Sequence, residues 1–201
     1  MTGPRVDLHV HSDASDGLLA PDELARRMRA AGCEVIALTD HDTTAGLASF
    51  AAAAPHAIAA IELTCRVRPG PRGTVHLLGY GVDPEQPELV EVAAANRAAK
   101  RAQVRAILQR LAREEGIEIS WEDLALGGAA RGEDAYVGRH HVAAVLVRRG
   151  HARTRLKAFR RFLSAERVPC AEVVPASEAL AALQAAGGLA VLAHPTHDDL
   201  T

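Results

Sequence analysis

Aromatic side chains are scarce in this chain: one Trp, two Tyr and three Phe, 3% of 201 residues. A core must therefore be built from Ala, Val, Leu and Ile, which the 48% hydrophobic content supplies. The same scarcity argues against extended nucleic-acid binding through stacked bases, which needs aromatic platforms. Cysteine is rare as well. Cys33, Cys65 and Cys170 are odd in number, far apart and free of CxxC pairing, which argues against a disulfide framework or a zinc ribbon. All three are expected to be small buried thiols. No apolar run approaches the roughly 18 residues that span a bilayer. The N-terminus, MTGPRVDLHVHSD, has no apolar stretch of secretory type. The expectation is a cytoplasmic protein with no membrane association and no stable protein partner.

Net charge is small too, at −2, but it is unevenly spread. Residues 1–95 hold 7 Lys/Arg against 13 Asp/Glu, residues 96–170 hold 16 against 8, and residues 171–201 hold none against 4. An acidic scaffold interrupted by a basic middle suggests two units with different tasks.

Periodicity places the elements. Val6–Val10 alternates like a strand, and Pro21-Asp22-Glu23 opens a helix that Gly32 closes. Strands are expected at 35–38, 57–63 and 74–80, with a helix over 43–54. This alternation implies a largely parallel sheet with helical crossovers. A long Ala- and Arg-rich helix then covers 88–115, and Ser120-Trp121-Glu122-Asp123 looks like a capping box opening another. Two more helices are expected over 138–150 and 154–165 before β/α alternation resumes with a helix at 176–186 and a strand at 189–193. The helical stretch between reads as an insertion.

Chemistry concentrates at the strands. His9 and His11, two apart on the first strand, point to the same side. Asp16 lies in the loop that follows. The second strand runs into Thr39-Asp40-His41-Asp42, the third is expected to end at Glu62, the fourth carries His76, and the last leads into His194. In parallel β/α folds, functional residues gather at the C-terminal strand ends. Five His with Asp16 and Glu62 in one barrel mouth would be costly to bury without a cation. No Ser/His/Asp set stands out, and Gly79-Tyr80-Gly81 lacks the third glycine of a phosphate-binding loop.

DLHVHSDASDG (7–17), ALTDHDTTAG (37–46), Glu62, HLLGYG (76–81) and AGGLAVLAHP (186–195) together resemble the PHP (polymerase and histidinol phosphatase) family. The middle, with VGRHH (137–141), Ala158-Phe159 and Phe162-Leu163, resembles one branch of it. That branch comprises bacterial enzymes acting on nucleoside 3′,5′-bisphosphates and on short RNA from the 5′ end.

The resemblance implies an α/β fold: a distorted, seven-stranded, TIM-like β/α barrel. Residues 1–100 and 171–201 would form the barrel, and 101–170 an inserted helical substrate-binding subdomain. It implies up to three divalent ions, commonly manganese, with zinc or iron also compatible. The ligand positions would be His9, His11, Asp16, His41, Glu62, His76 and His194, with Asp40 orienting a ligand imidazole. The implied reaction is phosphoester hydrolysis by metal-activated hydroxide. Arg139 and His141 align with a Gly-Arg-Pro-His motif of the branch, His140 standing where Pro is usual, and are expected at the substrate phosphate. Arg97, Lys100, Arg101, Arg105, Arg148 and Arg149 are expected to form a solvated helix face, and His56, His151 and His197 to lie on the surface.

The family pattern continues past LAHP to a late Asp-x-His motif. Here the chain ends at Asp198-Asp199-Leu200-Thr201, so a C-terminally truncated barrel is expected. The main functional expectation is a phosphatase or 5′ exoribonuclease for small nucleotides or short RNA. The rivals are a histidinol-phosphatase-like monoester hydrolase and a non-catalytic metal- or nucleotide-binding module.

Overall fold

The structure, a computed structural model, describes residues 3–70, 73–125 and 134–195. Its elements are β1 (Arg5–Val10), α1 (Pro21–Ala30), β2 (Cys33–Leu38), α2 (Leu47–Ala53), β3 (Ile58–Arg66), β4 (Thr74–Tyr80) and α3 (Pro87–Glu115), then α4 (Arg139–Arg148), α5 (Arg155–Phe162), α6 (Ala176–Ala185) and β5 (Leu189–Leu192). Among the described residues, five strands in the order β1-β2-β3-β4-β5 form a curled mixed sheet accompanied by six α-helices. None of these helices is long and apolar enough to cross a membrane.

The expected largely parallel sheet is corrected. β1, β2 and β3 pair in parallel, but β3–β4 and β4–β5 are antiparallel. The connection 67–73 is too short for a helical crossover, which needs a dozen or more residues, so β3 turns straight back into β4. Two local expectations also change. Glu62 lies in the middle of β3 rather than at its end. The Ser120 capping pattern forms, with Ser120 N–H donating to Asp123 Oδ2 (2.7 Å) and Asp123 N–H to Ser120 Oγ (3.3 Å), but it caps only a 3-10 turn, Glu122–Leu124. Gly127-Gly128 follow in the sequence, each costing a helix about 1 kcal/mol.

Three apolar clusters hold the molecule. Ala25, Met28, Ile36, Leu38 and Phe50 pack α1 and α2 on the first strands. Ile61, Leu63, Leu89, Val92 and Leu183 pack the start of α3 and α6 on β3. The third cluster draws only on residues 104–168, including Ile107, Leu111, Val142, Leu146 and Phe162. The basic middle therefore has its own core. α3 runs unbroken through the expected 100/101 boundary, its first half on the sheet and its second in the helical cluster, until Gly116, at φ 65°, ends it.

The thiols do not behave alike. Cys65 is buried, as expected, but Cys33 is half-buried and Cys170 exposed. His56 and His151 are at the surface, whereas His197, Asp198 and Asp199 lie outside the described residues.

Candidate metal centre

The loop after β1 is folded by its own short polar residues. Ser15 and Gly17 N–H both donate to Ser12 C=O, at 3.1 and 2.9 Å. A Cβ on Gly17 would lie 2.2 Å from the His11 carbonyl oxygen, so only glycine allows this return. The buried Asp40 carboxylate clamps the same loop, accepting from Ser12 N–H (2.7 Å), Ser12 Oγ (2.5 Å) and Ser15 Oγ (2.5 Å). Its reach towards a ligand imidazole runs through Ser15, whose Oγ is 3.4 Å from His11 Nδ1. The loop delivers Asp16, with Oδ1 3.6 Å from His11 Nδ1 and Oδ2 3.9 Å from His41 Nε2.

β3 supplies the hub. The Glu62 side chain is 0% exposed and is surrounded by five imidazoles. His9 Nε2, His11 Nε2 and His41 Nδ1 lie 3.0, 3.1 and 3.4 Å from its Oε2, and His76 Nδ1 and His194 Nε2 lie 2.8 and 3.3 Å from its Oε1. Thus all seven expected ligand positions are brought to one place. The antiparallel hairpin explains why His76, near the start of β4, reaches the same edge as residues following β1 and β2. β5 runs antiparallel to β4 and so returns to that edge, where His194 follows it with φ 30° and its side chain 62% exposed.

Electrostatics and hydrogen bonding fit this donor set to a cation. Burial opposes ionisation of Glu62, yet hydrogen bonds from His11 and His76 and the nearby imidazoles overcome it, holding the carboxyl far below its usual range. Burial drives His41 well below an ordinary imidazole, and the opposing Glu62 charge does not reverse this, so its ring is neutral at pH 7. His41 Nδ1 is buried without a hydrogen-bond partner although it faces Glu62. A buried, unpartnered imidazole nitrogen beside a carboxylate suits a shared cation better than it suits the protein alone. Three overlapping triads (His9/His11/Glu62, His11/Asp16/His41 and His41/Glu62/His76) each place their donor atoms within 4.8 Å of one another, and each could hold an ion.

His11 behaves oppositely to His41. Burial lowers its pKa, but the Glu62 hydrogen bond and the Asp16, Glu62 and Asp40 charges outweigh this, and the net direction is upward. Its charged form therefore stabilises the metal-free fold fully below the unfolded value of about 6.5, and that contribution is lost as pH rises through the raised folded pKa. Ligation needs the neutral ring, so metal uptake near neutrality should expel a proton and tighten as pH rises. Calorimetric titration with manganese in buffers of different ionisation enthalpy tests this; heats independent of the buffer would contradict it.

α3 turns more inward than a solvated basic face would. At helical spacing, Asn96, Arg97, Lys100 and Gln103 share the side towards the centre. Arg97 NH1 donates to Asp42 C=O (2.8 Å), and Lys100, its ammonium pKa lowered by burial against the pull of Asp42, faces Asp42, Glu62 and Asp16. Arg105, by contrast, is exposed and stacks over Trp121 (5.2 Å), while Arg149 pairs with Asp123 (2.6 Å). Lys100 and Arg139 line a cavity of about 200 Å³ together with Arg66, Gln103 and Glu172. His141 is buried, and its Nδ1 accepts Gly138 N–H (3.2 Å) at the start of α4. Tyr136, not singled out by the sequence pattern, stacks on His41 at 5.4 Å between ring centroids and is held neutral by burial and surrounding carboxylates.

The PHP domain family matches residues 7–114. The chain belongs to the PHP family. A 5′-3′ exoribonuclease of Haemophilus influenzae is 32% identical over 98% of this chain and 71% of its own length. A 3′,5′-nucleoside bisphosphate phosphatase of Chromobacterium violaceum is 35% identical over 97% of this chain and 68% of its own. Among solved structures, a protein of Bifidobacterium adolescentis assigned as a metal-dependent phosphoesterase superposes with a TM-score of 0.86 at 28% identity, covering 99% of this chain and 73% of that one. This PHP chain takes its place among metal-dependent phosphoesterases, and it is a hydrolase.

Proposed function

We propose that this PHP protein hydrolyses phosphate esters of small nucleotides, releasing phosphate from nucleoside 3′,5′-bisphosphates and 5′ nucleotides from short RNA. The observation that carries the reading is the buried Glu62 carboxylate ringed by five imidazoles, with Lys100, which faces it from α3, sharing a cavity wall with Arg139. His9, His11, Asp16, His41, Glu62, His76 and His194 would hold up to three divalent ions, manganese being the first choice. Such ions supply an activated water and neutralise charge on the phosphoryl oxygens.

The protein's own groups do the rest. Glu62 and Asp16 bring the negative charge that gathers cations. Asp40, through Ser12 and Ser15, keeps the His11–Asp16 loop in place. Tyr136 fixes the His41 ring and excludes water from its inner face. Arg139 and Lys100, at the cavity wall, take phosphate oxygens, Arg139 by its planar fork. His141 holds the turn that presents Arg139 through Nδ1, and a direct contact to phosphate would run through its Nε2–H. The five-stranded sheet is read as part of a seven-stranded β/α barrel, with 101–170 as the substrate-binding insertion.

The test is phosphate release from adenosine 3′,5′-bisphosphate by manganese-loaded protein, with histidinol phosphate in parallel. Release from the bisphosphate at a kcat/KM at least about tenfold higher, roughly 1.4 kcal/mol of discrimination, is expected. No release from it overturns the reading, and bound ions without turnover on either substrate would instead identify a binding module.

A further inference from the structure

α5 presents a basic surface that the metal centre does not use. A shallow groove is lined by Gly150, His151, Arg153, Lys157, Arg160 and Arg161, with no acidic side chain among them. Among the described residues, Arg153, Arg155, Lys157 and Arg160 form no side-chain hydrogen bond or ion pair, while the basic residues elsewhere in the helical unit commonly do: Arg149 with Asp123, Arg167 with Glu115, Arg110 with Glu114. All four are exposed. Lys157, Arg160 and Arg161 stand at i, i+3 and i+4, one turn of helix on one face. A row of unneutralised cations on a chain of net charge −2 repels itself and is stabilised by a polyanion.

Its position decides which polyanion. A relay of side-chain contacts leads from the centre to this helix. The His41 ring stacks on Tyr136 (5.4 Å), and Tyr136 meets His141 (6.1 Å). The adjacent His140 packs on Phe159 of α5 (4.8 Å), and the Arg139 guanidinium lies 5.7 Å over the same ring. α5 therefore packs through Phe159 against the residues that lead to the centre, and its exposed cations stand on the outer side of the same helix. A mononucleotide held at the centre would not need them. A strand with its 5′ end at the centre carries further phosphates that must leave across some surface, and the helix that this relay reaches carries unpaired cations on its solvent side.

We infer that the basic face of α5 and the turn before it (Arg153, Lys157, Arg160, Arg161) is a docking track for the downstream phosphates of single-stranded RNA. This rests on the proposed function and assigns the surface that would carry the rest of an RNA strand. Recognition would run through phosphate charge without base stacking, since Phe159 is engaged by His140 and Arg139. Binding should thus be independent of sequence and steeply salt-dependent.

The test compares the wild type with an Arg153→Gln/Lys157→Gln/Arg160→Gln variant, whose exposed positions leave the fold and the centre intact. Anisotropy of a labelled, 5′-phosphorylated, phosphorothioate-linked RNA of about eight nucleotides reads binding, and release of phosphate from adenosine 3′,5′-bisphosphate reads the centre. The expected result is at least about tenfold weaker RNA binding at moderate salt, and a log–log salt slope shallower by about 2 for three lost contacts, with bisphosphate turnover unchanged. Unchanged RNA affinity and salt slope would overturn the track. If neither protein turned over the bisphosphate, the function would fall, while weaker RNA binding by the variant would still uphold the track.

Discussion

Glu62→Gln is expected to lower metal affinity and phosphoesterase activity by about 10³-fold or more while leaving the fold in place. The carboxylate belongs to two of the three candidate triads and lies within 3.4 Å of a nitrogen on all five imidazoles. A unit charge facing a cation about 3 Å away contributes on the order of 5 kcal/mol at an effective dielectric near 20, and each 1.4 kcal/mol is about tenfold. The amide keeps the shape, its oxygen accepting from one of His11 and His76 and its NH2 donating to the neutral ring of the other, so secondary structure should persist. Metal analysis after gel filtration, with circular dichroism and turnover on the same sample, measures all three. A variant that retained wild-type metal content and activity would show that Glu62 is structural.

Asn96→Ala is expected to be the most destabilising single change near the site that removes no candidate ligand, at about 3–5 kcal/mol. Asn96 is fully buried on α3. Its Nδ2 donates to Asp42 Oδ1 (2.9 Å) and to Thr64 C=O (2.7 Å), while its Oδ1 accepts Val174 N–H (3.0 Å). One amide thus joins α3, β3, the loop after β2 and the chain entering α6. Truncation leaves a buried carboxylate, carbonyl and N–H each short of a partner. Asp42 is already pushed by burial towards its neutral form and is held by Thr64 and Asn96, so it suffers most. Urea unfolding of metal-free protein measures the loss; a shift under about 1 kcal/mol would mean that water replaces the amide without cost.

Most of the residues of the candidate metal centre were legible in the sequence. His9 and His11 share a strand face by the two-residue period alone, and His41, Glu62, His76 and His194 each fall on or beside a recognisable strand. The elements were legible for the same reason, since hydrophobic period and Pro or Gly punctuation act over a few residues. Other features were not. Asn96 and Lys100 look in sequence like ordinary polar positions on a long helix, and Tyr136 like one aromatic before a motif. Their meaning comes from partners 32 to 95 residues away. Arg97 was expected in water, and the structure turns it onto the Asp42 carbonyl.

The sequence by itself determined which residues could bind metal, which segments are strands and helices, and that a basic helical unit interrupts an acidic scaffold. Those properties are local, set by side-chain type, spacing and backbone propensity. Only the tertiary structure decided that β4 turns back antiparallel, that Glu62 is the mid-strand hub, and that α5 packs on His140 through Phe159. Strand pairing, burial and the convergence of distant side chains depend on long-range packing, and no short window of sequence contains both partners.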